Sequence, residues 1–180
     1  MKNTLFAKSP FYGIAAGIAL AACVAAQPAL ADGHGRSHGK LSVEKQTTVN
    51  ASPETTWKMI GHFNHLDVWH PVVVMSAIKK GRHDKKGAVR VLTLADGAEV
   101  TEVLVKHSDK DKSYTYRITG GPLPVKNYES VVSVRSAPGG KATVVWSATF
   151  DAKDAPDDKA IETMTGVYDA GLGNLARHFN

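Results

Sequence analysis

At 180 residues with one cysteine, the chain is long enough for a single ordinary domain and excludes a disulfide framework. Its 22 Lys and Arg against 17 Asp and Glu give a formal charge of +5 at pH 7, spread along the sequence. No basic stripe points to nucleic acid.

The first 31 residues read as a secretion signal. Lys2 and Lys8 form a short positive region, Phe11 to Ala26 a nearly uncharged apolar stretch, and Ala29-Leu30-Ala31 a small-x-small cleavage site. The alternative of a retained anchor is disfavoured because the continuous apolar run of about 15 residues falls short of the roughly 20 a spanning helix needs. A second alternative is a lipoprotein signal at Leu20-Ala21-Ala22-Cys23, against which Val24-Ala25-Ala26 prolong the apolar run past the cysteine. Cleavage after Ala31 predicts a periplasmic protein. It lowers the formal charge from +5 to +3 and removes Cys23, so the mature chain has no thiolate for metal or catalysis.

Residues 32–40 carry Gly and His with nothing apolar to bury, and read as a flexible tail. The domain then spans 41–180. Leu41 to Asn50 alternates as a strand, with Leu41, Val43, Thr47 and Val49 on one face and Lys45 among them. Ser52-Pro53-Glu54 is a helix start, a capping side chain followed by a proline whose missing N–H has no helical partner there. Trp57, Ile60 and Phe63 give its buried stripe, and a second short helix runs over Asn64 to Trp69, ending before Pro71.

From Val72 to Lys153 the pattern is β. Val72 to Ile78 is followed by a charged loop, Lys79 to Lys86. Two strands then flank the hairpin turn Ala95-Asp96-Gly97, and another turn spans Asp109 to Lys112. Tyr114, Tyr116 and Ile118 alternate before the loop Gly120-Gly121-Pro122-Leu123-Pro124. Tyr128 to Arg135 and Thr143 to Phe150 make the last hairpin, with Val144, Trp146, Ala148 and Phe150 on one face. The chain ends in a helix over roughly 157 to 178, its stripe being Ile161, Met164, Tyr168, Leu172, Leu175 and Phe179. Gly166, Gly171 and Gly173 imply that something approaches this helix closely, or that room is left beside it. Short links predict an antiparallel sheet, and the terminal helix is the one element long enough to cover it.

This order resembles the helix-grip fold of the START and birch-pollen-allergen superfamily, also called SRPBCC. The resemblance is carried by Asn50-Ala51-Ser52-Pro53-Glu54 with Trp57, Trp69-His70-Pro71, Leu92 to Gly97, Tyr114-x-Tyr116-Arg117-Ile118, Gly121-Pro122-Leu123-Pro124-Val125-x-Asn127-Tyr128 and Thr143-Val144-Val145-Trp146-x-Ala148-x-Phe150. These segments look like the polyketide cyclase/dehydrase and lipid-transport branch. The likeness implies an α+β fold, a curved antiparallel sheet of six or seven strands around the long helix, and a hydrophobic cavity for a small apolar molecule. It fixes no reaction. Export together with the His/Gly-rich lead (His34-Gly35, His38-Gly39) is similar to the MxaD-type proteins of methylotrophic bacteria. That likeness implies a periplasmic accessory to methanol dehydrogenase and its cytochrome, and the short apolar run with its cleavage site argues against stable membrane insertion.

His70 is the sharpest candidate for chemistry, an acid or base near neutral pH beside a backbone fixed by Pro71. The plainer reading is a ring that caps a helix end or packs on Trp69. Arg90, Glu99 and Glu102 fall on adjacent strands. Alternation allows at most one of the two acids to point inward, and surface cross-strand pairing is the expected arrangement. Tyr116, Asn127, Tyr128, Trp146 and Tyr168 are expected to line a pocket, or to be plain core. Trp69, Arg90 and Met164 complete the expected ligand-contacting set, with Gly166 or Gly173 leaving the room. His34 with His38, or His62 with His65 and the nearby Asp67, complete no known ligand pattern, so neither a metal nor a cofactor is expected. The absence of a nucleophile paired with its base favours a binding or accessory protein over a cyclase or dehydratase.

Overall fold

The computed structural model describes residues 40–180. The signal segment with Cys23, its cleavage site, and His34 and His38 lie outside the described residues. Strand β1 (Leu41–Val49) leads to helices α1 (Pro53–Ile60) and α2 (Leu66–Trp69). Six strands follow: β2 (Val73–Lys80), β3 (Val89–Leu94), β4 (Glu99–Ser108), β5 (Ser113–Gly120), β6 (Val125–Ala137) and β7 (Lys141–Ala152). Helix α3 (Asp157–Phe179) ends the chain. The seven strands form one antiparallel sheet in the order β1-β7-β6-β5-β4-β3-β2. Short links make a meander from β2 to β7, and β1 returns to pair with β7. α1 and α2 therefore carry the chain from one edge of the sheet to the other.

Local chemistry explains the element ends. Ser52 Oγ accepts from the Thr55 N–H at 3.1 Å and Pro53 occupies the first helical turn. Gly97, at φ +83°, makes the β3–β4 turn. Asp157 and Asp158 start α3, and Arg177 and His178 close it, each favourable to the helix dipole. Alternation in β1 holds as read. Lys45, on the inner face, reaches Asp169 of α3 at 3.1 Å.

α3 lies against β1, β7 and α2. Its buried residues are Ala160, Met164, Tyr168, Gly171, Leu172 and Leu175. Ile161, expected in the stripe, is exposed, and Ala160 takes the inward position one residue earlier. The glycines also divide differently from expectation. A Cβ on Gly166 would meet nothing within 4 Å, and one on Gly173 only the Arg177 guanidinium. Gly171 is the close approach, where a Cβ would sit 2.7 Å from His70 Cδ2, 3.0 Å from Trp146 and 3.1 Å from Trp69. Asn174 Nδ2 donates to the Trp69 carbonyl at 3.1 Å beside it. These contacts clasp α2 onto α3.

Candidate functional site: an apolar cavity with a polar floor

α3 covers the β1–β7 side of the sheet, which leaves a space between its middle turns and the inner faces of β3 to β6. The cavity there measures about 60 Å³. Val72, Leu94, Ile118, Leu123 and Val167 line it and are partly exposed, forming the rim. Leu66, Leu92, Val100 and Met164 are apolar walls. The lining residues with polar side-chain groups are His70, Glu102, Tyr116, Tyr128 and Trp146.

Five of the nine expected site residues therefore meet at one cavity: His70, Tyr116, Tyr128, Trp146 and Met164. Three more stand behind it. Trp69 packs edge-on against Trp146 at 5.2 Å, Tyr168 stacks on Trp146 at 4.3 Å and 12°, and Arg90 lies buried under Tyr116. Asn127 is a correction. It is exposed, donates to Asp151 at 2.7 Å, and has no part in the cavity. Tyr128, Ser130, Val132 and Val134 alternate inward along β6, so Asn127 falls on the outer face; the bulge between Lys126 and Glu129, where Asn127 adopts φ +52°, leaves Lys126 outward as well.

Arg90 and Glu102 are a second correction. They pair directly across β3 and β4, as expected of cross-strand neighbours, but on the inner face rather than at the surface. Arg90 is fully buried and Glu102 is 3% exposed. Arg90 Nε donates to Glu102 Oε2 at 2.6 Å, Nη2 makes an ion-pair contact with the same oxygen at 2.6 Å but no hydrogen bond, Nη1 donates to the Phe63 carbonyl, and the guanidinium lies over the Phe63 ring. Burial pushes the Glu102 carboxyl up, and the Arg90 charge opposes it; the short Nε bond and the Nη2 contact mark an ion pair. The signal was in the alternation: Arg90 shares parity with Ala88 and Leu92, and Glu102 with Val100 and Leu104, all buried. Ser130 was missed for the same reason, since it alternates inward with Tyr128 and Val132.

The hydroxyls behind the cavity form a chain whose direction is fixed. Ser130 Oγ donates to the Ser147 carbonyl at 2.8 Å, so it can only accept from Tyr168 at 3.3 Å. Tyr168 must then accept from Tyr128 at 2.6 Å, and Tyr128 from Tyr116 at 3.3 Å. The Trp146 indole N–H divides between Tyr116 at 3.1 Å and Ser130 at 3.0 Å. Burial raises all three tyrosine hydroxyls above their usual range, so each keeps its proton to pass along.

His70 is 2% exposed. Its ring meets Trp69 and Trp146 edge-on at 6.1 and 5.8 Å, which is the packing role weighed against catalysis. Nε2 lies 2.9 Å from the Val167 carbonyl, and a carbonyl can only accept, so Nε2 carries the proton. Nδ1 is then a bare lone pair, buried and without a partner. Burial chiefly, and Arg90 to a lesser degree, lower the His70 pKa against the Val167 bond, so the ring is neutral.

His62 and His65 stand side by side, ring centroids 4.7 Å apart, and His62 Nδ1 meets Asp84 rather than Asp67 at 2.9 Å. Asp67 instead accepts from the Ser76 N–H at 3.3 Å. Among the described residues no group of three or more metal-ligating side chains comes together. Asp84 also accepts from the Phe63 N–H at 2.7 Å. This turns the one acid of the 79–86 segment inward. Lys79, Lys80, Arg82, Lys85 and Lys86 are exposed, and none is in an ion pair among the described residues.

A curved antiparallel sheet closed on a long C-terminal helix, with an apolar chamber between them, defines a helix-grip protein. The chain belongs to the polyketide cyclase / dehydrase and lipid transport family, which matches residues 40–180. Among solved structures it is similar to protein XoxI from Bacillus cereus, at 34% identity over 77% of this chain and 94% of that one, with a TM-score of 0.72. A Thermobifida fusca protein is 26% identical over 77% of this chain and 92% of its own, with a TM-score of 0.69. Ara h 8.0201 shares the fold at 20% identity, covering 77% of this chain and 97% of that one, with a TM-score of 0.63. No curated protein matches the chain.

Proposed function

We propose that this chain is an exported, periplasmic cavity protein that binds a small apolar molecule and serves a periplasmic redox system. In this reading it is an MxaD-type accessory at the step where methanol dehydrogenase passes electrons to its cytochrome. The observation that carries the binding half is the cavity itself, apolar at its rim and walls, with its polar groups supplied by buried residues. The family's description, which includes lipid transport, and the likeness to protein XoxI support the reading. For the partner, the five exposed cations of 79–86 form a surface suited to a transient, charge-steered encounter.

Two measurements test this. Native mass spectrometry of the protein from its own periplasm should show a co-purifying apolar molecule; a clean mass, with no apolar probe bound, would count against binding. Added to dehydrogenase and cytochrome, the protein should speed cytochrome reduction at low salt. The effect should fall as salt screens the encounter and vanish when Lys79, Lys85 and Lys86 become Glu. An unchanged rate at every salt rules out the accessory role.

A second reading, a cyclase or dehydratase with His70 as acid/base, is favoured by one observation, the bare Nδ1 lone pair. On that reading His70→Ala lowers turnover by about a hundredfold or more.

A further inference from the structure

The cavity presents hydrogen-bond acceptors and no free donor. Of the five lining residues with polar side-chain groups, three have their protons already engaged. Tyr116 gives its proton to Tyr128, Tyr128 to Tyr168, and the Trp146 N–H is held by Tyr116 and Ser130. The other two offer only lone pairs. His70 Nδ1 has no partner. Glu102 Oε1 has none among the described residues, because both Arg90 nitrogens converge on Oε2. Both residues are more than nine-tenths buried, and both line the same chamber. A buried acceptor left without a donor costs about 1–3 kcal/mol, and more when charged. Arg90 and the Trp69 N–H do not relieve this, since neither residue lines the cavity.

We infer that the cavity selects an apolar molecule carrying a hydrogen-bond donor, an alcohol, phenol or aromatic N–H, which His70 Nδ1 and Glu102 Oε1 accept, and that it discriminates against the matching ketone or ether. This rests on the ligand-binding reading above and narrows it. It also bears on the alternative chemistry, because polarising a carbonyl requires a donor aimed into the cavity.

The experiment titrates the purified protein with matched pairs of rising size: 2-propanol and acetone, cyclohexanol and cyclohexanone, indole and benzofuran. Binding is followed at the Trp146 indole N–H resonance. In every pair that binds, the donor member should be favoured about tenfold or more. His70→Ala and Glu102→Gln should each reduce that ratio. Reading the ratio within each variant cancels any change in cavity size, and if Glu102→Gln does not fold, His70→Ala still decides. Equal affinities, a preference for the ketone or benzofuran, or a ratio unchanged in His70→Ala overturns the inference and leaves the cavity reading standing. Failure of all six probes to bind overturns both.

Discussion

Replacing Gly171 by Ala tests whether the α2–α3 clasp is as tight as its geometry states. The added Cβ would stand 2.7 Å from His70, 3.0 Å from Trp146 and 3.1 Å from Trp69, all ring atoms of buried side chains rather than flexible ends. Ordinary carbon contacts lie at about 3.5–4.0 Å, so the rings must shift, and overpacking of this kind costs about 1–3 kcal/mol. Against this, Ala for Gly in a helix interior gains about 1 kcal/mol. Gly166→Ala supplies the control, since its Cβ meets nothing and it sits in the same helix. The propensity gain then cancels between the two variants. Urea unfolding should show Gly166→Ala more stable than the parent by up to about 1 kcal/mol, and Gly171→Ala less stable than Gly166→Ala by about 1–3 kcal/mol, with unchanged m. Equal stabilisation by both substitutions would refute the close approach and the clasp built on it.

Three further outcomes follow from the buried polar groups. Tyr168→Phe removes the middle of the hydroxyl chain and strands the Tyr128 proton, and should cost about 1–3 kcal/mol in urea unfolding. Glu102→Leu alone leaves Arg90 charged and unpaired, and should cost about 3–5 kcal/mol. Glu102→Leu with Arg90→Met should recover most of this, the recovery being read as a double-mutant cycle. His70 stays neutral when folded, with a pKa below its usual 6.5. As pH falls through 6.5 the unfolded chain takes up a proton that the folded chain refuses. Stability therefore drops toward the lower folded value and is full above 6.5. His70→Ala should flatten that part of the pH profile.

The fold was legible because alternation and short links leave few choices. Val144, Trp146, Ala148 and Phe150 on one face, with a helix long enough to cover them, already imply a sheet gripping α3. The site was legible where an aromatic residue serves as core and cavity wall at once, as Tyr116, Tyr128 and Trp146 do. It failed where charge argued against parity. Arg90 and Glu102 look like surface residues by type, and only their shared register with Ala88, Leu92, Val100 and Leu104 places them inside. Asn127 failed against parity too. Tyr128, Ser130, Val132 and Val134 alternate inward along β6, which puts Asn127 on the outer face. Gly171 could not be singled out from Gly166 and Gly173 by spacing, because which helix face meets Trp69 depends on where α2 docks.

On the ligand-binding reading, size and selectivity are set by different walls of the cavity. About 60 Å³ is room for roughly two waters, far below the 300–1,000 Å³ of drug-sized pockets, so any larger molecule must move a wall. The floor resists, being tied by the Trp146–Tyr168 stack, the hydroxyl chain and the α2–α3 clasp. The rim is held less. Its Leu123 sits in the β5–β6 loop, whose backbone ties are Val125 N to the Leu123 carbonyl and Lys153 N to the Pro124 carbonyl. On the proposed ligand-binding reading, a molecule would enter with its polar end toward His70 and Glu102 and its apolar end toward Leu123. Leu123→Ala should then shift affinity with the length of the apolar tail, measured along a series of straight-chain alcohols, while leaving the alcohol-to-ketone ratio as it was. A changed ratio in Leu123→Ala would mean that the rim, rather than the floor, reads the polar group, and would reverse the orientation argued here.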